Sequence, residues 1–137
     1  MDIVYLKAID KAKLAAADIQ NLLETAPVRA FEDKQANMIF EDLTAHLHSV
    51  INRLESFAKP AVEGKLQEMD NGKFEVVSCH GKSIGYLSCG SPLEIYSHEE
   101  SGWFPGRVEH KNGHYYFYSI DLGHPALFTG MKARIRD

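Results

Sequence analysis

Residues 102–120 read GWFPGRVEHKNGHYYFYSI, and this stretch decides the fold of the C-terminal half of the chain. It contains two strand-like runs separated by Asn112-Gly113, the dipeptide that best tolerates the positive φ angles of a type I′ turn. The first run opens with the only tryptophan, Trp103, and the second has four consecutive aromatic residues. The stretch therefore predicts a β-hairpin, and its density of aromatic side chains indicates a binding surface.

The turn position fixes the register of this hairpin. Val108 then pairs with Phe117, and alternation directs both side chains into the core. The opposite face carries a hairpin panel of four side chains: Arg107, Glu109, Tyr116 and Tyr118. Tyr and Arg are frequent interface hot spots, so the panel suggests a peptide-docking surface. Cross-strand pairing within the panel, or packing of the panel on the N-terminal helices, would account for the same residues without a partner.

Strand patterns flank the hairpin on both sides, so residues 73–137 are predicted to be one β domain. Five or six short strands, with turn signals about every eight to twelve residues, favour a small barrel or sandwich. The preceding segment, residues 60–72, is polar and acidic and ends in Asp70-Asn71-Gly72. It is predicted to be a linker.

Residues 1–59 read as two helices. Apolar residues recur at spacings of four and three in each helix; they are Tyr5, Ile9, Ala12, Ala16, Ile19 and Leu23, then Ala36, Phe40, Leu43, Leu47, Val50, Leu54 and Phe57. Pro27 is predicted in the first turn of the second helix, and Lys59-Pro60 is predicted to end that helix. The short break favours an antiparallel helical hairpin.

Further apolar residues of the two helices fall outside these stripes and imply a second buried face. They are Ile3, Leu6, Leu14, Leu22, Met38, Ile39 and Ile51. Two occupants would cover it: the C-terminal domain, or the same helices of another chain in a homodimeric four-helix bundle. A plain core is the more common explanation of such stripes.

Composition narrows the class of protein. The 137 residues include 45% hydrophobic and 25% charged residues, as in a soluble globular protein, and the net charge is −4. No apolar run approaches the ~20 residues that span a membrane, and the N-terminus lacks a secretory signal, so a cytoplasmic protein is expected. Without clustered positive charge, nucleic-acid binding is disfavoured; the residues that could contact phosphates are Arg107, Lys132, Arg134 and Arg136.

Two segments carry a resemblance to known families. The run GSPLEIY, residues 90–96, followed by GWFPGRV, residues 102–108, resembles Tudor-like and other SH3-like modules. The runs CGSPLEIY, GRVEH, YYFYSI and GMKARIR are similar to a bacterial family of uncharacterised small proteins, often encoded on mobile elements of Gram-positive bacteria. The resemblance covers residues 73–137 and implies an SH3-like barrel, without an assigned activity.

The Tudor-like resemblance also suggests an aromatic cage that binds a ligand. Trp103, Tyr96 and a hairpin tyrosine would hold a methylated ammonium group by cation–π attraction. A tryptophan that packs in the core or at its rim is the more common case.

Catalytic and metal motifs are not evident in the sequence. Seven histidines and two cysteines are present, but no pair has the spacing of a recognised zinc site. The chain lacks GxSxG, HExxH, P-loop and GxGxxG patterns, and Ser88-Cys89 has no identifiable base. We therefore expect neither enzymatic activity, nor a cofactor, nor a bound metal.

Taken together, these patterns predict an α+β protein, with an N-terminal antiparallel helical hairpin followed by a small SH3-like β-barrel. The predicted role is a non-catalytic protein-interaction module, and the resemblance suggests an accessory factor of a mobile element. Its candidate partner-binding residues are Tyr96, Trp103, Arg107, Glu109, Tyr116 and Tyr118. The alternatives are a nucleic-acid-binding SH3-like module and a small-molecule or modified-amine binder.

Overall fold

The structure, a computed structural model, describes residues 1–136 and divides into two compact units at the junction of Lys59 and Pro60. The first unit is a helical hairpin and the second is an antiparallel sheet, so the predicted α+β class is confirmed. Asp137, the last residue of the predicted β domain, lies outside the described residues.

The first unit consists of helix α1, Ile3–Thr25, and helix α2, Phe31–Ala58. The Asp2 carboxylate accepts a hydrogen bond from the Val4 N–H at 2.8 Å and so caps α1. Pro27 was expected in the first turn of α2, and this is wrong. The Asp33 carboxylate accepts from the backbone N–H groups of Arg29 and Ala30, so the helix begins only at Phe31.

The core of the helical hairpin is small. Ile9, Ala16 and Ile51 are buried in one cluster, and Ala12 and Leu47 pack against it. Most other large apolar side chains of the two helices remain exposed within this unit. The hairpin therefore buries one stripe of α1 but only part of the apolar surface of α2.

The second unit is a seven-stranded sheet in which all neighbouring strands are antiparallel. Its order is β3-β2-β1-β7-β4-β5-β6. The strands are β1 Ala61–Glu68, β2 Phe74–Val77, β3 Ser83–Tyr86, β4 Pro92–Ser97, β5 Gly102–Lys111, β6 His114–Tyr118 and β7 Lys132–Arg136. The order ends at β3 on one side and at β6 on the other, so the sheet is open.

The linker predicted for residues 60–72 is wrong for most of its length. Residues 61–68 form β1, which pairs with β2 on one side and with β7 on the other. The strand was hidden because its inward face contains Gly64, where the carbonyl of Val77 leaves no room for a side chain. This interruption breaks the apolar alternation between Val62 and Leu66.

The inward side chains of the sheet meet in one core. Its most deeply buried large members are Phe117, Leu66, Ile95, Val76 and Val108. These residues come from five strands of the sheet, β6, β1, β4, β2 and β5. The opposite, outward faces of the same strands carry the charged and aromatic side chains.

The β5–β6 hairpin has the predicted register. Val108 pairs with Phe117, Glu109 with Tyr116, and both members of the first pair are buried. Asn112 and Gly113 have φ angles of 54° and 78°, as a type I′ turn requires.

Candidate functional site

The outer face of β7, β4, β5 and β6 collects all six predicted site residues. Strand pairing places Tyr96 beside Trp103, and Arg107 beside Tyr118. Because directly paired residues point to the same side of a sheet, the pairing builds one continuous outer face. Two groups of contacts occupy it, one around Trp103 and one around Tyr118.

The Trp103 group brings together two aromatic rings and two cations. Tyr96 and Trp103 meet edge to face, with ring centroids 5.5 Å apart. The Lys132 Nζ lies 4.8 Å from the Tyr96 centroid, and the Arg134 Cζ lies 4.3 Å from the Trp103 centroid. The chain's own cations thus occupy the ring faces that the predicted cage would offer to a methylated amine.

Beside Trp103, Glu94 is held by two arginines. The Arg134 Nη2 donates to Glu94 Oε1 at 2.8 Å, and the Arg136 Nε donates to Glu94 Oε2 at 2.6 Å. Burial opposes the charged carboxylate, but the hydrogen bonds from Arg136 and Arg134 outweigh it and lower the pKa of Glu94. This Glu94 triad, formed by Glu94, Arg134 and Arg136, holds Arg134 over the indole ring of Trp103.

The Tyr118 group is a cluster of planar side chains at the end of the sheet. Arg107 lies over the Tyr118 ring at 4.3 Å, and His124 stacks on Tyr118 with centroids 4.6 Å apart at an angle of 15°. The ring centroids of Tyr116 and His124 are 5.9 Å apart. His124 is placed there because residues 123–126 bridge to β6 through Ser119–Gly123 and Tyr116–Ala126.

Glu109 links the panel to a cysteine. The Arg107 Nε donates to Glu109 Oε1 at 2.5 Å, and the Cys89 Sγ donates to Glu109 Oε2 at 3.2 Å. The Arg107 hydrogen bond is the main reason that the pKa of Glu109 is lowered. The bond to Glu109 raises the pKa of Cys89, which keeps this thiol protonated and weakly nucleophilic.

The cations predicted to contact phosphates are paired with carboxylates. Arg107 pairs with Glu109, and Arg134 and Arg136 pair with Glu94. The Lys132 Nζ lies 3.9 Å from Glu63 Oε2. Carboxylates alternate with the cations across the outer face, which is unlike the uniform positive surface that binds nucleic acids.

Sequence reasoning missed Glu94 and His124 as members of this face. Glu94 looked like an ordinary outward residue of a strand, and only the placement of β7 beside β4 brings two arginines to it. His124 lies in the segment after β6, where no periodicity marks its position. No local pattern in the sequence marks either residue.

Within residues 1–136, no group of three or more His, Cys, Asp or Glu side chains is arranged to hold a metal ion. Over the same range, neither helix combines the length and the apolar character that crossing a membrane demands.

The chain is therefore an α+β protein in which a two-helix hairpin precedes a seven-stranded antiparallel sheet. A family model described as a domain of unknown function, DUF5348, matches residues 66–135, from β1 to β7. The chain belongs to this family. The prediction that residues 73–137 belong to an uncharacterised family is thereby confirmed.

A solved structure is similar to about half of the chain. A crystal structure of a protein from Ruminococcus gnavus, a structural genomics target, is 20% identical, with a TM-score of 0.42. That similarity covers 54% of this chain and 100% of the other. No curated protein matches the chain.

Proposed function

We propose that this protein is a non-catalytic protein-interaction module that binds a partner through the outer face of β5 and β6. The observation that carries the proposal is the ordered cluster of Arg107, Tyr118 and His124, with Tyr116 against its edge. These groups are held in place before any partner arrives, so binding would cost little side-chain entropy.

The chemistry of the panel suits a peptide or protein segment. Tyrosine and arginine supply large, rigid contact surfaces that also hydrogen-bond. The Arg107 side chain is 52% exposed, and Ile120, just beyond β6, is 88% exposed. A partner that covers Tyr116, Tyr118 and Ile120 would find apolar contact next to an arginine–glutamate pair.

The same contacts weigh against the two alternatives. Nucleic-acid binding needs cations that are available to phosphates, whereas those of this face are engaged with carboxylates. An amine ligand in the cage of Tyr96 and Trp103 would have to displace Lys132 and Arg134. Protein binding needs neither change.

A capture experiment with matched variants tests the proposal. Tyr116→Ala/Tyr118→Ala removes both rings of the panel, while Tyr86→Ala removes a tyrosine that is 74% exposed in β3, at the other end of the sheet. Wild type and Tyr86→Ala are expected to retain the same protein from an extract of the source cells, and the double variant is expected to lose it.

Two outcomes would contradict the proposal. One is equal recovery by all three proteins, with folding of each verified by Trp103 fluorescence and thermal unfolding. The other is retention of oligonucleotides at low salt that falls steeply as salt rises, because such behaviour marks phosphate binding.

We further infer that the sheet unit is an SH3-like barrel in a cytoplasmic bacterial protein that serves a mobile element as an accessory factor. The single core beneath all the strands supports the barrel, and the resemblance of residues 73–137 supports the setting. An experimental structure in which the inward side chains of β2 and β6 do not share one core would contradict the barrel. Genes of this family lying away from mobile elements would contradict the setting.

A further inference from the structure

The helical hairpin has one apolar side and one polar side. Successive helical residues turn by about 100°, so positions relative to the buried stripe follow from the sequence. On α2, the exposed side chains to one side of that stripe are Phe40, Leu43 and Leu54, with exposures of 44%, 47% and 39%. The corresponding side of α1 carries Val4, Ala8, Ala15 and Leu22.

These two flanks lie on the same side of the hairpin. Because α1 and α2 run in opposite directions, residues that precede the stripe on one helical wheel and on the other turn toward a common side. The opposite side carries the Lys13–Glu55 ion pair, at 2.6 Å, together with His48 and Asn52. One broad apolar face is therefore shared by both helices.

The apolar face has the spacing of a bundle seam. From Ala36 to Phe57, apolar residues of α2 follow the alternating four-and-three pattern without interruption. This pattern keeps a seam facing one neighbouring helix over its whole length. Within the hairpin, the fully buried residues of α2 are instead Thr44 and Ile51, at the edge of the seam, and Ile51 packs in one cluster with Ile9 and Ala16 of α1. The seam itself is left half-exposed.

We propose that this face binds the same face of a second copy of the chain, with α2 antiparallel to α2 and α1 antiparallel to α1, as a four-helix bundle. An antiparallel pair must be self-complementary about its midpoint. Along α2, Asp42 lies five residues before Leu47 and Arg53 lies six residues after it. Both are exposed at the outer margin of the apolar face, so Asp42 of each copy meets Arg53 of the other.

Helix α1 has the same complementarity. Lys11 lies three residues before Leu14, and Asp18 lies three residues after Ala15. Both are exposed at the margin of the apolar face, so Lys11 of each copy meets Asp18 of the other.

The two midpoints lie at one level of the hairpin. Leu47 packs in the cluster that contains Ala12 and Ala16, the residues on either side of the α1 midpoint. A single two-fold axis through this level therefore satisfies the charges of both helices. The side chains also match in size, since Phe40 would face Leu54, and Ala36 would face Phe57.

Sedimentation velocity of the full chain tests the dimer. A concentration-dependent monomer–dimer equilibrium is expected at micromolar concentrations, and Leu43→Glu is expected to remain monomeric because it places a carboxylate in the seam. Asn52→Glu adds the same charge on the polar side and is expected to dimerise as wild type does. A wild-type monomer over this range would overturn the proposal and indicate that the chain's own sheet unit, or another protein, covers the face.

Charge exchange tests the antiparallel arrangement. Asp42→Arg and Arg53→Asp each place like charges together twice per dimer, so each should weaken dimerisation, by roughly fivefold at low salt. Mixing the two variants should restore wild-type affinity, because opposite charges then meet in the heterodimer. The double variant Asp42→Arg/Arg53→Asp should also dimerise as wild type does. A dimer that neither single variant weakens, or that mixing does not restore, would overturn this arrangement.

Discussion

Gly106 is the residue on which the β5–β6 hairpin depends most closely. A Cβ atom at this position would lie 2.6 Å from Phe117 Cζ and would also overlap the carbonyl oxygen of Tyr118. The chain therefore uses glycine there so that the Phe117 ring can cross over β5. The placement of Phe117 in the core and of Tyr118 in the hairpin panel both require that residue 106 has no side chain.

Replacement of this glycine is expected to lower stability. Gly106→Ala should lower the free energy of unfolding by about 1–3 kcal/mol, as overpacking does. Gly102→Ala, in the same strand, meets its nearest atom only at 3.9 Å and should change stability by less than about 0.5 kcal/mol. Denaturant unfolding followed by Trp103 fluorescence measures both. Equal stabilities for the two variants would show that the core yields at Gly106.

The Glu94 triad makes stability depend on pH. Because its pKa is lowered in the folded state, Glu94 contributes stability above its unfolded pKa of about 4.3, and this contribution is lost as the pH falls through the folded value. Glu94→Gln should cost roughly 2–3 kcal/mol at pH 7, because it removes the charge of a buried carboxylate that accepts hydrogen bonds from Arg134 and Arg136.

The difference between wild type and Glu94→Gln should therefore shrink below about pH 4. Denaturant midpoints at pH 7 and pH 3.5 measure this change. Glu63→Gln is the matched control, because the Glu63 side chain is 55% exposed and lies 3.9 Å from Lys132. A Glu94→Gln deficit that is the same at both pH values would contradict the role of the charge.

At the scale of elements, the β5–β6 hairpin is the part that local chemistry specifies most fully. Its register follows from period-two alternation and from a turn dipeptide that accepts positive φ, and the structure has both. Strand β1 could not be predicted in the same way. Its partners, β2 and β7, are set by the topology of the whole sheet, and Gly64 removes the apolar signal from its centre.

The turn of this hairpin offers an element-scale prediction. Gly113→Ala places a side chain at a φ of 78° and should destabilise the sheet unit by about 1 kcal/mol. Asn112→Gly, at the other positive-φ position, should change stability by less than about 0.5 kcal/mol. Thermal unfolding of both variants beside wild type measures the difference. A neutral Gly113→Ala would mean that the turn relaxes to another type.

At the scale of the whole molecule, the two units differ in how much core each one has. The sheet unit buries large residues from five strands in one cluster, whereas the helical hairpin fully buries only three apolar residues. A fragment of residues 60–137 is therefore expected to unfold cooperatively. Its Trp103 fluorescence emission before unfolding should equal that of the full chain. A fragment without a cooperative transition would show that the sheet depends on the helices.

The candidate site was predictable only in part, for a reason of scale. The hairpin panel lies within one local element, so the sequence placed Arg107 beside Tyr118 correctly. The cations over Tyr96 and Trp103 come from β7, about thirty residues further along the chain, and its position between β1 and β4 is a property of the whole sheet. The helical stripes predicted the hairpin, but Phe40, Leu43 and Leu54 of the predicted stripe are exposed, while Ile51, predicted outside it, is buried. Hydrophobic spacing alone does not show which side of α2 meets α1 or what covers the other side.

The two ends of the sheet differ in a way that limits how copies of this chain can join through their backbones. The outer side of β6 is occupied, since Phe117 donates its N–H to the Pro125 carbonyl and Leu127 donates to the Tyr115 carbonyl. Among the described residues, no strand pairs with the outer side of β3. Endless fibre growth by strand addition needs a free edge at each end of the repeating unit. Within residues 61–136 this sheet presents one such edge, that of β3, so edge-to-edge pairing would stop at two molecules rather than polymerise.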